Sequence, residues 1–318
     1  MFEENHTVIT QFIVLGFQNL YGFKIPFFIF VFSLYVITLS GNFLIVLLVS
    51  TCHILRSPMY FFLCHLSLCD ALLSTSIVPK MLHVVLEDGS TISLSGCLTQ
   101  FQMFGWCCTA ECYILTVMSY DRYLAICNPL HYSSIMEFKF CLNLVICSWV
   151  LGFIFALITR ILLCRLEFCN RSTIDHFFCD FLPILELSCS DTSLVEMEAF
   201  MVTPFILLFP FLFVIVTYVY IFFTILRISS TTGRQKAFST CSSHLAVVCV
   251  FYGTLISIYL SPSQGYSVNI NKFTSLAYTM VTPLFNPIIY TLRNKDIRKA
   301  FGIFLKKTQN RFCHHMSN

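Results

Sequence analysis

Long apolar runs, each bounded by a short polar turn, recur through the chain and limit what it can fold into. A helix needs about 20 apolar residues to cross a bilayer, and only helices or closed barrels satisfy their backbone there. Seven runs of helical length are expected, at 24–50, 58–82, 97–126, 140–163, 195–226, 237–260 and 272–292. The polar turns between them are too short for a second folded domain. Composition agrees: 57% of the residues are hydrophobic and 11% charged, against about 25% charged in soluble chains. The class is therefore an all-α membrane protein, a seven-transmembrane helix bundle. No nucleic-acid partner is expected, and membrane lipid is the surrounding solvent.

Residues 294–307 form a separate amphipathic stretch, with Ile297, Phe301, Phe304 and Leu305 at helical spacing and Lys and Arg between them. That pattern suits a helix lying on the membrane surface. The expected organisation is an extracellular segment at 1–23, a seven-helix bundle at 24–292 and a cytoplasmic tail with the amphipathic helix at 293–318. Glu3 and Glu4 stand where a cleavable signal would be basic, so the first span is expected to direct insertion. Most Lys and Arg lie in the turns that share a side with the tail. The positive-inside rule then places the tail in the cytoplasm and the amino terminus outside. Asn5-His6-Thr7 is a glycosylation acceptor on the outer side. Asn170-Arg171-Ser172 has the same pattern but neighbours Cys169.

Most of the 17 cysteines sit inside apolar runs and read as small hydrophobes. Two carboxylates, Asp70 and Glu111, fall within spans, where ionisable groups are costly and usually functional. With no cation evident among the spans, they require either a bound cation or a shared proton.

The residues at the span ends carry a resemblance. Leu115–Tyr132 reads LTVMSYDRYLAICNPLHY, with Asp121, Arg122 and Tyr123 where an apolar run meets water. Pro58-Met59-Tyr60-Phe61-Phe62-Leu63 opens the second run, Lys236 to Leu245 reads KAFSTCSSHL, and Asn286-Pro287-Ile288-Ile289-Tyr290 closes the seventh. Together these strings resemble the olfactory branch of the rhodopsin-like receptors coupled to G proteins. Thr217-Tyr218 departs from the usual Ser-Tyr of that branch but keeps the hydroxyl. Phe251-Tyr252-Gly253 stands where the wider class has a Trp-Pro pair.

The resemblance implies disulfides from Cys97 to Cys179 and from Cys169 to Cys189, which spacing alone does not choose. It implies a switch built from Asp121, Arg122, Tyr123, Tyr218 and Tyr290, and a sodium site at Asp70 and Glu111, with no other cofactor. The inner end of the sixth run carries Arg234 and Lys236 instead of the acid that latches many relatives. Counting turns below Cys97 places the ligand among Phe104, Gly105, Cys108, Thr109, Val202, Thr203, Ile206, Tyr252, Leu255, Ile256, Tyr259 and Thr279. That set is apolar with a few hydroxyls and no charge, which suits a small neutral volatile molecule. The implied function is an odorant receptor in the plasma membrane that activates a stimulatory, olfactory-type G protein and raises cyclic AMP. The alternative is an olfactory-like receptor sensing a metabolite outside the nose. An enzyme is not expected, since no HExxH or GxSxG string occurs, and no repeat symmetry supports a transporter.

Overall fold

A computed structural model describes residues 9–18, 20–169, 172–260 and 268–316. Asn5 and the Tyr259 side chain lie outside the described residues, as does the Asn170-Arg171 pair. A strand, β1 (Gln11–Val14), precedes α1 (Lys24–Thr51) and α2 (Pro58–Glu87). Next come β2 (Ser90–Ser93), α3 (Leu94–Cys127), α4 (Pro129–Ile135) and α5 (Phe138–Leu163). β3 (Thr173–Ile174), α6 (Phe181–Leu185), α7 (Ser193–Thr203), a π segment at Pro204–Leu208 and α8 (Phe209–Arg227) follow. The chain ends in α9 (Thr231–Leu260), α10 (Val268–Arg293) and α11 (Lys295–Met316).

Among the described residues, five helices are long and apolar enough to cross a membrane: Lys24–Thr51, Pro58–Glu87, Phe138–Leu163, Ser193–Arg227 and Thr231–Ile256. Two further long helices, α3 and α10, run in the same bundle. α3 is the central post, packed against α2, α5, α8 and α9, and Glu111, Asp121 and Arg122 are all buried within it. The outer helices reverse the soluble pattern. On α1 only a stripe of Val31, Thr38, Asn42, Ile45 and Leu48 is buried, while Ile25, Ile29, Phe30 and Phe43 are more than half exposed. Such a surface is stable only in an apolar solvent.

Several boundaries move for local reasons. α3 starts three residues before Cys97 because Ser93 caps it, its hydroxyl accepting from the Gly96 amide at 3.1 Å. α2 runs on to Glu87 and stops where Asp88 turns left-handed. The fifth run is not one regular helix. Pro204 and Pro210 each remove a backbone donor, and the turn between them widens into the π segment. There the Phe205 carbonyl instead accepts from the Tyr113 hydroxyl at 3.0 Å.

The expectation of an all-helical chain needs a small correction. At the Cys97 end β1 pairs antiparallel with β2, Phe12 opposite Ile92, and parallel with β3, Ile13 opposite Thr173. Gly16 ends this strand region at φ +65°, and a Cβ there would lie 2.6 Å from Val84. At the other end α11 runs well past position 307. It buries Ile297 and Ala300 against the bundle, and Tyr60 donates to both Asn294 and Asp296 at 3.0 Å.

Candidate functional site

The functional side chains lie in three layers along the bundle, and proline chemistry positions the middle one. Pro287 cannot donate to the Pro283 carbonyl one turn earlier, so that buried oxygen needs another partner. Asn42 of α1 supplies it, Nδ2 donating to Pro283 at 3.0 Å. A Cβ on Gly41 would come within 3.1 Å of the Pro287 ring, so the glycine permits the approach. One residue before Pro287, α10 presents Asn286 to the two acids. Its Nδ2 donates to Asp70 at 2.9 and 3.1 Å and to Glu111 at 3.2 Å. All three side chains are buried, and Asn286 Oδ1 has no partner among the described residues. The two carboxylates are hard oxygen donors of the kind sodium takes, with the Asn286 amide meeting them through its nitrogen.

In the layer farthest from Cys97, Arg122 pairs with Asp121, its Nε at 2.9 Å and its second contact through Nη2. Asp121 is wholly buried and also accepts from the Tyr132 hydroxyl of α4 at 2.7 Å. Arg122 itself lines a cavity of about 710 Å³, together with Tyr60, Gln235, Ser239, Ser243, Asn294 and Asp296. Tyr290 is fully buried, with its hydroxyl unpaired among the described residues. Tyr218 reaches His244 of α9 at 2.6 Å, and His244 Nε2 lies 3.1 Å from the Leu115 carbonyl. A carbonyl only accepts, so Nε2 carries the hydrogen and Nδ1 accepts from Tyr218. This relay ties α8, α9 and α3 together. Tyr123 stands apart from it, its ring 6.1 Å from Tyr220 on the α8 side.

Toward the Cys97 end, Phe104 meets Phe178 at 5.3 Å and Tyr278 at 5.8 Å, and the Tyr278 hydroxyl contacts Cys108 Sγ at 2.6 Å. Tyr252 is buried against Phe211 and Phe251, at 4.6 and 5.2 Å between centroids. Thr109, Leu255 and Thr279 are buried; Val202, Thr203 and Ile206 are half-buried. Two members of the expected ligand set point elsewhere. Gly105 faces α5, where an added Cβ would lie 3.4 Å from Ala156. Ile256 is 42% exposed and lines an outward groove.

A cap closes this end. Cys97 is bonded to Cys179, and Cys169 to Cys189. Gln100 braces the first bridge, accepting from the Cys179 amide at 3.0 Å while its own amide donates to Ser76 at 3.0 Å. Lys272 of α10, 2% exposed, donates to the Gly16 carbonyl at 2.8 Å and to Asp175 at 2.5 Å. It pins the first segment, the β3 loop and α10 at one point.

His176 beside it is buried on Phe177 and Phe178, with Nδ1 unpaired among the described residues. Burial, reinforced by the Lys272 charge, lowers its pKa from 6.5 to about 4. The neutral ring belongs to the folded cap, so its contribution is complete above pH 6.5 and is lost as pH falls toward 4. A loss approaching 3 kcal/mol, roughly, is expected across that window. The unfolding midpoint of the purified protein should fall there, and His176→Phe should flatten the slope; an equal slope in both would contradict it.

The sequence strings contained Asn286 and His244 without assigning either a contact, and Tyr278, Phe178, Lys272 and Asp175 were not singled out. Proline at 287 was the available signal for Asn42 and Asn286. Nothing local marks Lys272 as buried.

A family model described as "Olfactory receptor" matches residues 30–307. The chain is 47% identical over 297 residues to Olfactory receptor 10A7 of Homo sapiens, covering 93% of this chain and 94% of that relative. Olfactory receptor 6X1 of Homo sapiens is 45% identical over 296 residues, covering 93% and 95%. Olfactory receptor 5AR1 of Mus musculus is 43% identical over 307 residues, covering 96% and 99%.

Proposed function

The chain belongs to the olfactory receptor family, and on that premise we propose that it converts binding of a small neutral volatile molecule into activation of a stimulatory G protein. It is a receptor and not an enzyme. The observation that carries the reading is the cavity of about 710 Å³ with Arg122 in its wall, at the end of the bundle opposite the Cys97 cap. In this reading α1, α2, α3, α5, the α7–α8 helix, α9 and α10 are seven spans, and α11 is the surface helix. Residues 1–23 lie outside the cell, 24–292 form the receptor and 293–318 lie in the cytoplasm.

The ligand rests among Phe104, Cys108, Thr109, Tyr252 and Leu255, held by apolar burial and a few hydroxyls. It drives the switch only through different affinities for two states. In the resting state Asp121 holds Arg122. Activation frees Arg122 to turn toward Tyr218 and Tyr290 and opens the cavity for the terminal helix of the G protein. Asp70, Glu111 and Asn286 would hold a sodium ion that neutralises the paired acids and favours the resting packing.

The test is a chemically diverse volatile panel read by a cyclic-AMP reporter. At least one agonist is expected, and Tyr252→Ala should raise its half-maximal concentration by about tenfold or more, as loss of a buried aromatic contact implies. Tyr252→Phe should stay near the parent. Equal potency in all three at matched surface staining would place the ligand elsewhere.

A further inference from the structure

A second cavity, about 1020 Å³, opens outward between α8 and α9 and involves neither the cap nor Arg122. Its walls are almost wholly apolar. Val219, Phe222, Phe238, Leu245 and Gly253 contribute, and the first four are each at least 40% exposed. A Cβ built on Gly253 meets nothing within 4 Å, so the space there is open. From Phe238 to Ile256 the groove follows α9 for about 27 Å at helical rise. One leaflet's hydrocarbon is roughly 15 Å deep, so the groove crosses the leaflet at the Arg122 end and enters the other.

The rim at that end is basic. Arg227 closes α8 and is exposed; Arg234 turns back to donate to the Leu226 and Ile228 carbonyls at 3.4 and 3.0 Å. The two cations therefore sit together at the end of α8. From residue 199 to 295 the sequence contains no Asp or Glu. Neither arginine has an ion-pair partner among the described residues.

We propose that this groove binds an anionic phospholipid, one acyl chain lying between α8 and α9 and the headgroup phosphate on Arg227 and Arg234. The charge rules out the main rival occupant. A two-fold pairing of two copies through this face would bring identical basic rims together with no acid to meet them. A lipid supplies both the apolar chain and the opposite charge, and basic residues at a membrane edge select anionic headgroups. The occupied groove abuts Tyr218, whose hydroxyl is held by His244, so the lipid sits behind the α8–α9 contact. Nothing in this site depends on which end faces the cell interior.

The probe is an equal mixture of phosphatidylserine and phosphatidylcholine with matched chains, added to the purified full chain in detergent and read by native mass spectrometry. Phosphatidylserine adducts are expected to exceed phosphatidylcholine adducts by about tenfold. R227Q/R234Q should remove the preference, R227K/R234K should keep it, and G253F, which fills open space, should reduce adducts severalfold. Equal retention of the two lipids would overturn the proposal. So would an unchanged adduct level in G253F, which would leave only a surface patch. An unchanged preference in R227Q/R234Q, or a dimer in place of lipid adducts, would do the same.

Discussion

Arg122→Ala is expected to bring agonist-evoked cyclic AMP down to the baseline of cells lacking the receptor, at equal surface expression. Arg122 is the buried cation in the wall of the cavity opposite the Cys97 cap, where Lys295 is exposed, and its present partner is its own neighbour Asp121. Truncation removes the group that would meet the G protein and leaves Asp121 buried with Tyr132 alone. Breaking a fully buried pair costs about 3–5 kcal/mol. The cost here is smaller, since Arg122 borders an open cavity and Asp121 keeps one hydrogen bond. Surface delivery should fall by a fewfold, which staining corrects. D121N/R122A removes the stranded charge, so it should recover delivery without recovering signal. A normal response from either variant at matched staining would remove Arg122 from the switch.

Asn286→Leu should have the largest effect on stability. The leucine keeps a similar volume but removes the amide that donates to both Asp70 and Glu111. Two fully buried carboxylates then face each other without a donor. Leaving buried hydrogen-bonding groups without a donor costs about 1–3 kcal/mol each, more where they are charged, a large share of the roughly 5–15 kcal/mol that holds a fold together. Surface expression should drop about tenfold or more by flow cytometry. D70N/N286L, which removes one of the two charges, should restore part of it. Parent-level expression of the single variant would show that the acids do not depend on Asn286.

The sequence made the helices legible because apolar runs of bilayer length have few other stable outcomes. The Asp70–Glu111 encounter was also legible, since two acids in lipid must be compensated. Their partner was not, because Asn286 meets them across three helices that are far apart in sequence. The π segment lay within reach of a closer reading: two prolines six residues apart, Pro204 and Pro210, remove two donors from one stretch. The cap was hidden for a different reason. β1, β2 and β3 are short and come from three separate parts of the chain, so no local periodicity announces their pairing. Lys272, at the start of the seventh apolar run, is buried because Gly16 and Asp175 converge on it from two other segments. In the expected ligand set, counting turns gives depth but not facing, which is why Gly105 turns toward α5 and Ile256 toward the outward groove.

The central claim is that the wall around Arg122 receives the G protein when ligand binds at the Cys97 end. A photo-crosslinking residue placed at Gln235, which lines that cavity, reports it directly in cells. Ligand-dependent cross-linking to the α subunit of a stimulatory G protein is the predicted result. Cross-linking that is absent, or equal with and without an agonist that raises cyclic AMP, would contradict the account.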